Sequence, residues 1–447
     1  MKIRKLNAAT VLGSLTASVA LLAGIQGAHA QGAPGAGSFP GSFLVPGTQT
    51  SFKVGGYVKW DYTYDFSQQQ GINGGADPLG VAFGAGSRTF NNGVSITTTH
   101  YAPDAGHKIH GTSQMTASES RFNIETRTPT SYGELKTFIE GDFTNPNGLI
   151  NSNSLKVNSN SYGFRLRQAY GTLGPFLAGQ TLSLFRDGAA EAETLDFGGP
   201  LATGVTRQPQ VRYTFDFGNG LTWAVAAENP QTQIYNLSLS ADSTTFKLGQ
   251  GDKIPDFTTA VVYNAPWGHL NLHGVVRDLY DHNGAGVAAS TVGWGVAFSG
   301  NWNVPIGKDS FAWELAYGQG CGRYCMSDGP PSPDVFAFGS EIKKVKNYLA
   351  APNYTHFWTD TLRSNVAGSW WEQQNKDAFN AATFAGGSDL TNANTLFRYA
   401  YNAYANLIWS PVPQTNFGIE YDHSHGQLVN GRSGDLNILQ LSAQFKF

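Results

Sequence analysis

The sequence predicts an all-β protein: a transmembrane antiparallel β-barrel of about sixteen strands, with short periplasmic turns and long extracellular loops. Three features carry this prediction, namely alternating residue polarity, unequal connections and composition. In the last nine residues, Leu439–Phe447, apolar and polar side chains alternate strictly, as the two faces of a β-strand require. A final strand that ends on Phe is typical of bacterial outer-membrane barrels, in which the closing strand pairs with the first.

The composition favours one large barrel over several soluble domains. The chain has 447 residues, a length that would suit two or three soluble domains. Only 14% of the residues are charged and 13% are aromatic, whereas a soluble protein has about 25% charged residues. With a mean hydropathy of −0.26, this fits a lipid-facing belt around a polar lumen. The net charge of −3 gives no indication of nucleic-acid binding.

The N-terminus predicts export. Residues 1–30 have a basic start, an apolar stretch and the sequence Ala28-His-Ala30, which together predict a signal peptide cleaved after Ala30. The alternative is a membrane anchor, but the stretch is interrupted by Ser, Thr and Gly and falls short of the ~20 apolar residues of a spanning helix. Residues 31–43 are rich in Gly and Pro and predict a flexible periplasmic lead-in. Residues 44–447 are assigned to the barrel.

The first barrel strand is predicted to begin near Phe52 and to alternate through seven periods. One face carries Val54, Val58 and Trp60, and the other carries Lys59 and Asp61. Charges cannot sit in lipid, so the second face is predicted to line water. The same alternation recurs in Arg121–Thr128, Leu135–Phe143, Val211–Phe217, Leu221–Glu228, Phe257–Asn264, Leu270–Arg277, Val292–Trp302, Phe311–Gly318, Tyr399–Trp409 and Phe417–Asp422.

The connections alternate in length. Seven are short and most contain Pro, Gly or Asn, at about 129–133, 171–175, 218–220, 265–268, 304–308, 358–361 and 411–413. Eight are long, at about 67–117, 144–161, 182–206, 229–255, 281–290, 319–343, 373–394 and 424–436. Seven turns and eight loops join sixteen strands, with short turns on one side as in outer-membrane barrels. The alternation is poor in 335–394, so fourteen and eighteen strands remain alternatives.

A sixteen-strand barrel is too wide for side chains to fill and encloses water, so something must narrow it. The third long loop, 182–206, is predicted to fold inward as a constriction loop. Its charged residues are Arg186, Asp187, Glu191, Glu193 and Asp196. The candidates for a facing basic wall are Lys59, Arg121, Arg165, Arg167, Arg207 and Arg212.

Acids on the loop that face a basic wall would put a transverse electric field across the constriction. Basic side chains favour anions, and the fork of an arginine can bind a carboxylate through two hydrogen bonds. Arg165 and Arg167 stand two residues apart, so they point the same way at different depths. The alternative interpretation is that these are hydrated lumen charges paired for stability.

Other candidate chemistry is sparse. Cys321 and Cys325 could form a disulfide in the oxidising periplasm, which would staple the tip of one loop, and a metal site would need further ligands nearby. Asp422-His-Ser-His425 resembles a metal or hydrolase fragment but has no obvious third partner. No catalytic residue, metal or cofactor is therefore predicted, and the chain is not expected to be an enzyme.

Several segments resemble the DcaP-like outer-membrane porins. They are Val45–Lys59, Ser120–Thr130, Phe164–Gly171 and Glu193–Pro200, and the resemblance is densest from 43 to about 228. The resemblance implies a sixteen-strand homotrimeric porin that passes small solutes, with dicarboxylates as the namesake substrates. Some members of the family have a helical segment before the barrel, for which residues 31–43 are too short. The family's constriction corresponds, as a hypothesis, to Arg121, Arg165, Arg167, Arg207 and Arg212 and to the acids of loop 182–206.

The leading functional hypothesis is therefore a passive diffusion channel in the outer membrane of a Gram-negative bacterium. It would contact outer-membrane lipid and pass small hydrophilic solutes, favouring anions such as carboxylates and dicarboxylates. One alternative is a surface receptor or adhesin without channel activity. Another is an outer-membrane lipid hydrolase, which would need a Ser/His pair on the lipid-facing surface, and the alternation provides none.

Overall fold

The computed structural model describes residues 35–66, 68–69, 108–109, 112–145, 163–200, 206–237, 244–248, 251–282, 288–325, 333–338, 341–374, 397–428 and 433–447. The predicted signal peptide and most of the first long loop lie outside the described residues. The chain divides into two compact units, one ending at Lys53 and the other running from Val54 to Phe447. In the first unit, β1 (Phe43–Leu44) pairs antiparallel with Ser51 and Phe52.

The second unit contains a closed antiparallel barrel of sixteen strands, which confirms the predicted fold class. The second barrel strand is interrupted, because β5 (Thr112–Thr116) and β6 (Arg121–Thr130) both pair with β2 (Ser51–Asp65). The wall consists of β2 (Ser51–Asp65), β5 (Thr112–Thr116) with β6 (Arg121–Thr130), β7 (Gly133–Asn145), β8 (Gly163–Leu173), β9 (Phe176–Leu182), β10 (Arg207–Asp216), β11 (Leu221–Glu228), β14 (Asp256–Ala265), β15 (Gly268–His282), β16 (Ala288–Asn303), β17 (Ser310–Gln319), β20 (Lys346–Phe357), β21 (Leu362–Gln374), β22 (Phe397–Val412), β23 (Thr415–Leu428) and β24 (Ser433–Lys446).

The barrel closes where the last strand meets the first. β24 pairs antiparallel with β2 from Tyr57 opposite Lys446 to Asp65 opposite Ile438. The amide of Phe447 then donates to the carbonyl of Gly56 at 3.1 Å. The C-terminal alternation thus lies in the strand that seals the sheet, as the sequence predicts.

The two faces of the wall have opposite chemistry. Large apolar side chains remain exposed on the outside, for example Val58 at 52%, Val292 at 57% and Val366 at 61%. On the inside, polar side chains such as Asn365 and Gln440 are buried at 1% exposure. An apolar outer surface around a polar interior is the arrangement of a barrel that stands in lipid. Within the described residues, no helix is long and apolar enough to cross a membrane.

The poorly alternating segment 335–394 contributes two wall strands, β20 and β21, so the count is sixteen. Its first part leaves the wall, because β18 (Val335–Phe338) and β19 (Glu341–Lys344) join β12 (Gln233–Leu237) and β13 (Thr244–Leu248) in a separate four-stranded sheet. In that sheet β12 pairs with β18 in parallel. A shorter ribbon joins β3 (Gln68–Gln69) to β4 (Lys108–Ile109). The last long loop is shorter than predicted, since β23 and β24 extend into 424–436.

The turn between β10 and β11 offers a test of the strand geometry. Gly218, Asn219 and Gly220 all have positive φ, at 74°, 53° and 82°. A Cβ at Gly220 would lie 2.1 Å from the carbonyl oxygen of Asn264, whereas one at Gly218 would meet nothing within 4 Å. We expect Gly220→Ala to lower the free energy of unfolding by more than Gly218→Ala, which should cost only the left-handed conformation, about 1 kcal/mol. Urea unfolding in detergent micelles measures both, and equal losses would contradict the backbone contact.

Candidate pore constriction

The connection between β9 and β10, residues 183–206, is called the constriction loop below. The structure describes 183–200 and 206 of it, and this described part folds into the lumen. It has no strand in the described part and is held by tight turns. The amides of Arg186, Ala190 and Gly199 donate to the carbonyls of Ser183, Asp187 and Asp196, at 3.1–3.2 Å. An irregular segment inside a barrel leaves backbone groups unpaired, so side chains of the wall must satisfy them.

The first anchor of the constriction loop is Glu228 on β11. Its carboxylate accepts from the Ser183 hydroxyl at 2.9 Å and from the Leu184 amide at 3.1 Å. Thr258 on β14 donates to the same oxygen at 2.5 Å. Glu228 is almost completely buried, at 1% exposure. A buried carboxylate needs several donors, and here the loop backbone supplies one of them.

The middle of the loop is anchored through Asp187. Its carboxylate lies 2.7 Å from both His269 Nε2 on β15 and Ser299 Oγ on β16. Burial alone would raise the pKa of Asp187, but the hydrogen bonds from His269 and Ser299 outweigh it and hold the pKa below its ordinary value. Beside it, Arg186 pairs with Glu191 at 2.8 Å. Burial would lower the pKa of Arg186, but the charges of Glu191 and Glu314 raise it.

Farther along, the loop binds the opposite side of the wall. Glu193 pairs with Arg363 on β21. Glu420 on β23 accepts from the amides of Leu195 and Asp196, each at 2.8 Å. Lys59 on β2 donates to the carbonyl of Leu195 at 2.8 Å.

Lys59 also forms ion pairs with Glu119 and with Asp61, at 3.0 Å to the latter. The predicted basic-wall residue Lys59 is therefore a compensated anchor of the loop. Asp187 and Glu193, which the sequence analysis placed opposite the arginines, contact β15, β16 and β21 instead. The physical reason is that donors on these wall strands lie within hydrogen-bond distance of the two loop acids.

The constriction loop meets three arginines of the barrel at Phe197. They are Arg121 on β6 and Arg165 and Arg167 on β8, and they are called the arginine wall below. The guanidinium carbons of Arg167, Arg121 and Arg165 lie 5.0, 5.2 and 5.8 Å from the centre of the Phe197 ring. These are cation–π distances. The Phe197 ring is thus a contact between the constriction loop and three cations of β6 and β8.

Two acids of β7 partly compensate these arginines. Asp142 accepts two hydrogen bonds from Arg165, at 2.9 and 3.0 Å, and one from Arg167 at 2.9 Å. Glu140 accepts from Arg167 at 3.0 Å and lies 3.7 Å from Arg121. Three positive charges therefore share two negative ones. The interpretation as paired lumen charges is right in part, but the pairing leaves an excess of one positive charge.

A cavity of about 380 Å³ lies between the loop and the wall. Its lining has five basic side chains (Lys59, Arg121, Arg167, Arg186 and Arg207) and three acidic ones (Glu140, Glu191 and Asp196). Most of the predicted site residues therefore meet there. Arg212 does not line the cavity; it donates to the carbonyl of Leu182 at 2.6 Å and to Gln210.

Sequence reasoning missed Phe197, Asp142, Glu140, Glu420 and Glu228 as residues of the site. The period-two alternation already placed Asp142 and Glu140 on the inner face of β7, which was a usable signal. Phe197 lies in an irregular segment without a period, so no pattern identifies it.

The remaining candidates have structural roles. Cys321 and Cys325 form a disulfide, with their Cα atoms 5.6 Å apart. His423 and His425 point away from the lumen and bond to Asn437 at 2.9 Å and Asp435 at 2.7 Å. The outer surface thus carries histidines, which the sequence analysis did not expect. Their described hydrogen-bond partners are an amide and a carboxylate, whereas a hydrolase would pair a histidine with a serine. The described part of the chain contains no group of three or more His, Cys, Asp or Glu that could hold a metal.

Comparison with known proteins identifies the family of this barrel. A family model described as porin subfamily matches residues 39–437. The chain belongs to the porin subfamily. The outer membrane channel DcaP of Acinetobacter baumannii has a similar crystal structure, with a TM-score of 0.67 and 22% identity over 92% of this chain and 100% of that one. The predicted resemblance to DcaP-like porins is thereby confirmed.

Two further structures share the fold at lower identity. The anion-selective porin from Comamonas acidovorans has a TM-score of 0.54 and 10% identity, over 89% of this chain and 100% of that one. The in-vitro folded trimer form of OmpT of Vibrio cholerae has a TM-score of 0.50 and 9% identity, over 89% and 99%. None of the curated protein sequences matches the chain. Family and fold are those of a porin channel of the Gram-negative outer membrane, rather than of an enzyme.

The lowered pKa of Asp187 predicts how acid acts on this porin. A carboxylate with a lowered folded pKa adds stability above its unfolded pKa of about 3.9 and loses it as the pH falls through the folded value. We expect Asp187 to hold the constriction loop above about pH 4 and to release it progressively as the pH falls further. The measurement is open-channel current noise along an acid series.

The control is Asp187→Asn, which keeps an acceptor oxygen but cannot titrate. Its noise should change less with acid than that of the parent protein. If the current noise of both proteins changes with acid in the same way, Asp187 does not hold the loop.

Proposed function

We propose that this porin is a passive diffusion channel that favours small anions, and that the constriction loop and the arginine wall set the preference. The observation that carries the proposal is the charge balance beside the loop: the three arginines around Phe197 share two acids, Asp142 and Glu140. A narrow passage with an excess of positive charge attracts anions and repels cations.

Carboxylates suit this passage because of hydrogen-bond geometry. Arg165 already binds the Asp142 carboxylate through two hydrogen bonds, and a solute carboxylate can take the same geometry on an arginine of the wall. A dicarboxylate can satisfy cations at two places of the passage together. The resemblance to DcaP and the fold shared with an anion-selective porin support this substrate class.

We also propose a homotrimer in outer-membrane lipid. The porin family and the trimer form of OmpT, which shares the fold, support this assembly. Light scattering of the purified protein in detergent, corrected for bound detergent, gives the stoichiometry, and a monomeric mass would contradict it.

Replacement of Arg165 and Arg167 by Ala tests the anion preference. The double variant removes two cations and leaves Asp142 and Glu140 with fewer partners, so the local charge becomes negative. We expect the reversal potential under a salt gradient to move towards cations, and swelling of liposomes in dicarboxylates to slow by about tenfold or more. Planar-bilayer recordings and swelling assays measure these.

The matched control is Arg127→Ala, on β6 of the barrel wall. Arg127 pairs with Glu125 at 2.6 Å and does not line the cavity described above. Its loss should change the reversal potential much less. An unaltered reversal potential in the double variant would refute the role of the wall, and a folded protein that never opens a conductance step would favour a receptor or adhesin.

A further inference from the structure

We propose that the turn closed by the Cys321–Cys325 disulfide is a brace that holds both stems of the constriction loop and thereby positions the narrowest part of the pore. The proposal rests on the proposed role of that loop as the constriction. The residues concerned are positioning residues, since they act on solutes only through the loop.

The turn lies inside the lumen, where the sequence analysis had expected a bridge at a loop tip. It follows β17 and contains a single turn of 3₁₀ helix, Gly322–Tyr324, directly between the two cysteines. Cys321 and Cys325 have no exposed surface, and Tyr324 is 2% exposed. A turn at an exposed loop tip would leave these residues open to water, so their burial indicates a packed internal element.

The turn contacts the first stem of the constriction loop through Tyr324. Its ring packs edge-on against Phe185, with the ring centres 6.0 Å apart. The Tyr324 hydroxyl lies 3.3 Å from Glu228, and Glu228 is the carboxylate that binds Ser183 and Leu184 of the loop. The turn and the first stem therefore share one apolar contact and one buried carboxylate.

The turn contacts the second stem through its backbone. The hydroxyl of Thr206, the last residue of the loop, donates to the carbonyl of Arg323 at 2.6 Å. Gln208, two residues farther, donates to the Tyr324 hydroxyl at 2.5 Å. The two stems are thus joined through one short turn as well as through the pairing of β9 with β10.

A buried charge network fixes the turn on the wall. Asp256 on β14 accepts from the Tyr324 hydroxyl at 2.9 Å and from Arg323 and Arg277 at 3.0 Å each. The guanidinium groups of Arg277 and Arg323 lie 5.1 and 5.4 Å from the Tyr324 ring. Movement of the turn would break several hydrogen bonds to this buried carboxylate, and the loss of a partner is costly for a charged group out of water.

The disulfide suits a brace better than a switch. Reduction would break the S–S bond by attack of a thiolate and would require two electrons and two protons from a dithiol. Both sulfur atoms belong to residues without exposed surface, so a dithiol in solution cannot reach them while the barrel is folded. The bridge keeps a short turn closed, and it limits the conformations from which that turn would have to reform.

Two variants test the brace. Cys321→Ala with Cys325→Ala opens the turn without adding a buried polar group, and Thr206→Val removes one hydroxyl while nearly keeping the shape. We expect both to fold, to raise open-channel current noise about twofold or more and to shift the reversal potential, because a loosened stem lets the loop sample several positions. Dithiothreitol added to the folded parent protein should change neither quantity.

The control for Thr206 is Thr355→Val on β20, which removes a lumen hydroxyl bonded to Asn365 instead of to the turn. It should behave as the parent protein. A folded C321A/C325A variant with parental noise and reversal potential would overturn the brace, whereas a response of the folded parent to dithiothreitol would support it and would show only that a dithiol can reach the bridge. Should that double variant fail to fold, parental behaviour of Thr206→Val would overturn it.

Phe197→Ala separates this inference from the proposed function. Loss of the ring should widen the passage and raise the conductance whether or not the brace exists. If Phe197→Ala changes the conductance and the brace variants change neither the noise nor the reversal potential, the brace alone is refuted. If Phe197→Ala leaves the conductance unchanged and the brace variants also behave as the parent protein, the loop is not the constriction, and the proposed function is refuted together with the brace.

Discussion

The structure depends on the pairing of every backbone amide and carbonyl within the wall. Lipid offers no hydrogen bonds, so a sheet that stands in it can have no open edge. The pairing of β2 with β24 removes the two edges that sixteen strands would otherwise present. Once the sheet is closed, the period of two places alternate side chains in lipid and in the lumen, and the lumen is too wide for those side chains alone to fill.

The constriction loop occupies part of that lumen, but its own backbone groups also need hydrogen-bond partners. It has irregular backbone in the described part, and its amides must find acceptors other than a neighbouring strand. Glu228 and Glu420, both buried on the wall, accept amides near the two ends of its described inner part. The acids of the wall are therefore needed to hold the loop, and acids of the loop itself, such as Asp187 and Glu193, are paired with the wall. What remains unbalanced is the arginine cluster.

Period-two patterns and turn residues were enough to predict the barrel, its closing strand and its short turns. These patterns were not enough to predict the segments in which the chain leaves the barrel wall. Val335–Phe338 and Glu341–Lys344 are strands of the separate four-stranded sheet, so no lipid–water boundary imposes alternation on them. That Arg165 and Arg167 share one face could be predicted, because they are two residues apart in one strand; their role in the passage stays a prediction. The partners of the loop acids could not be predicted, because residues that meet across a lumen can lie far apart in the sequence, as Leu195 and Glu420 do at a separation of 225 residues.

The contact between Phe197 and the arginines explains how a positive wall can stand beside a packed loop. Like charges repel, and Arg121, Arg165 and Arg167 lie around one ring. Asp142 and Glu140 cancel part of that repulsion from the side of the wall. The electron-rich face of an aromatic ring supplies attraction from the other side without adding a negative charge. A carboxylate in place of Phe197 would bind the cluster more strongly but would cancel the excess positive charge on which the proposed anion preference depends. An aromatic side chain therefore holds the loop against the wall and leaves the charge of the passage unchanged.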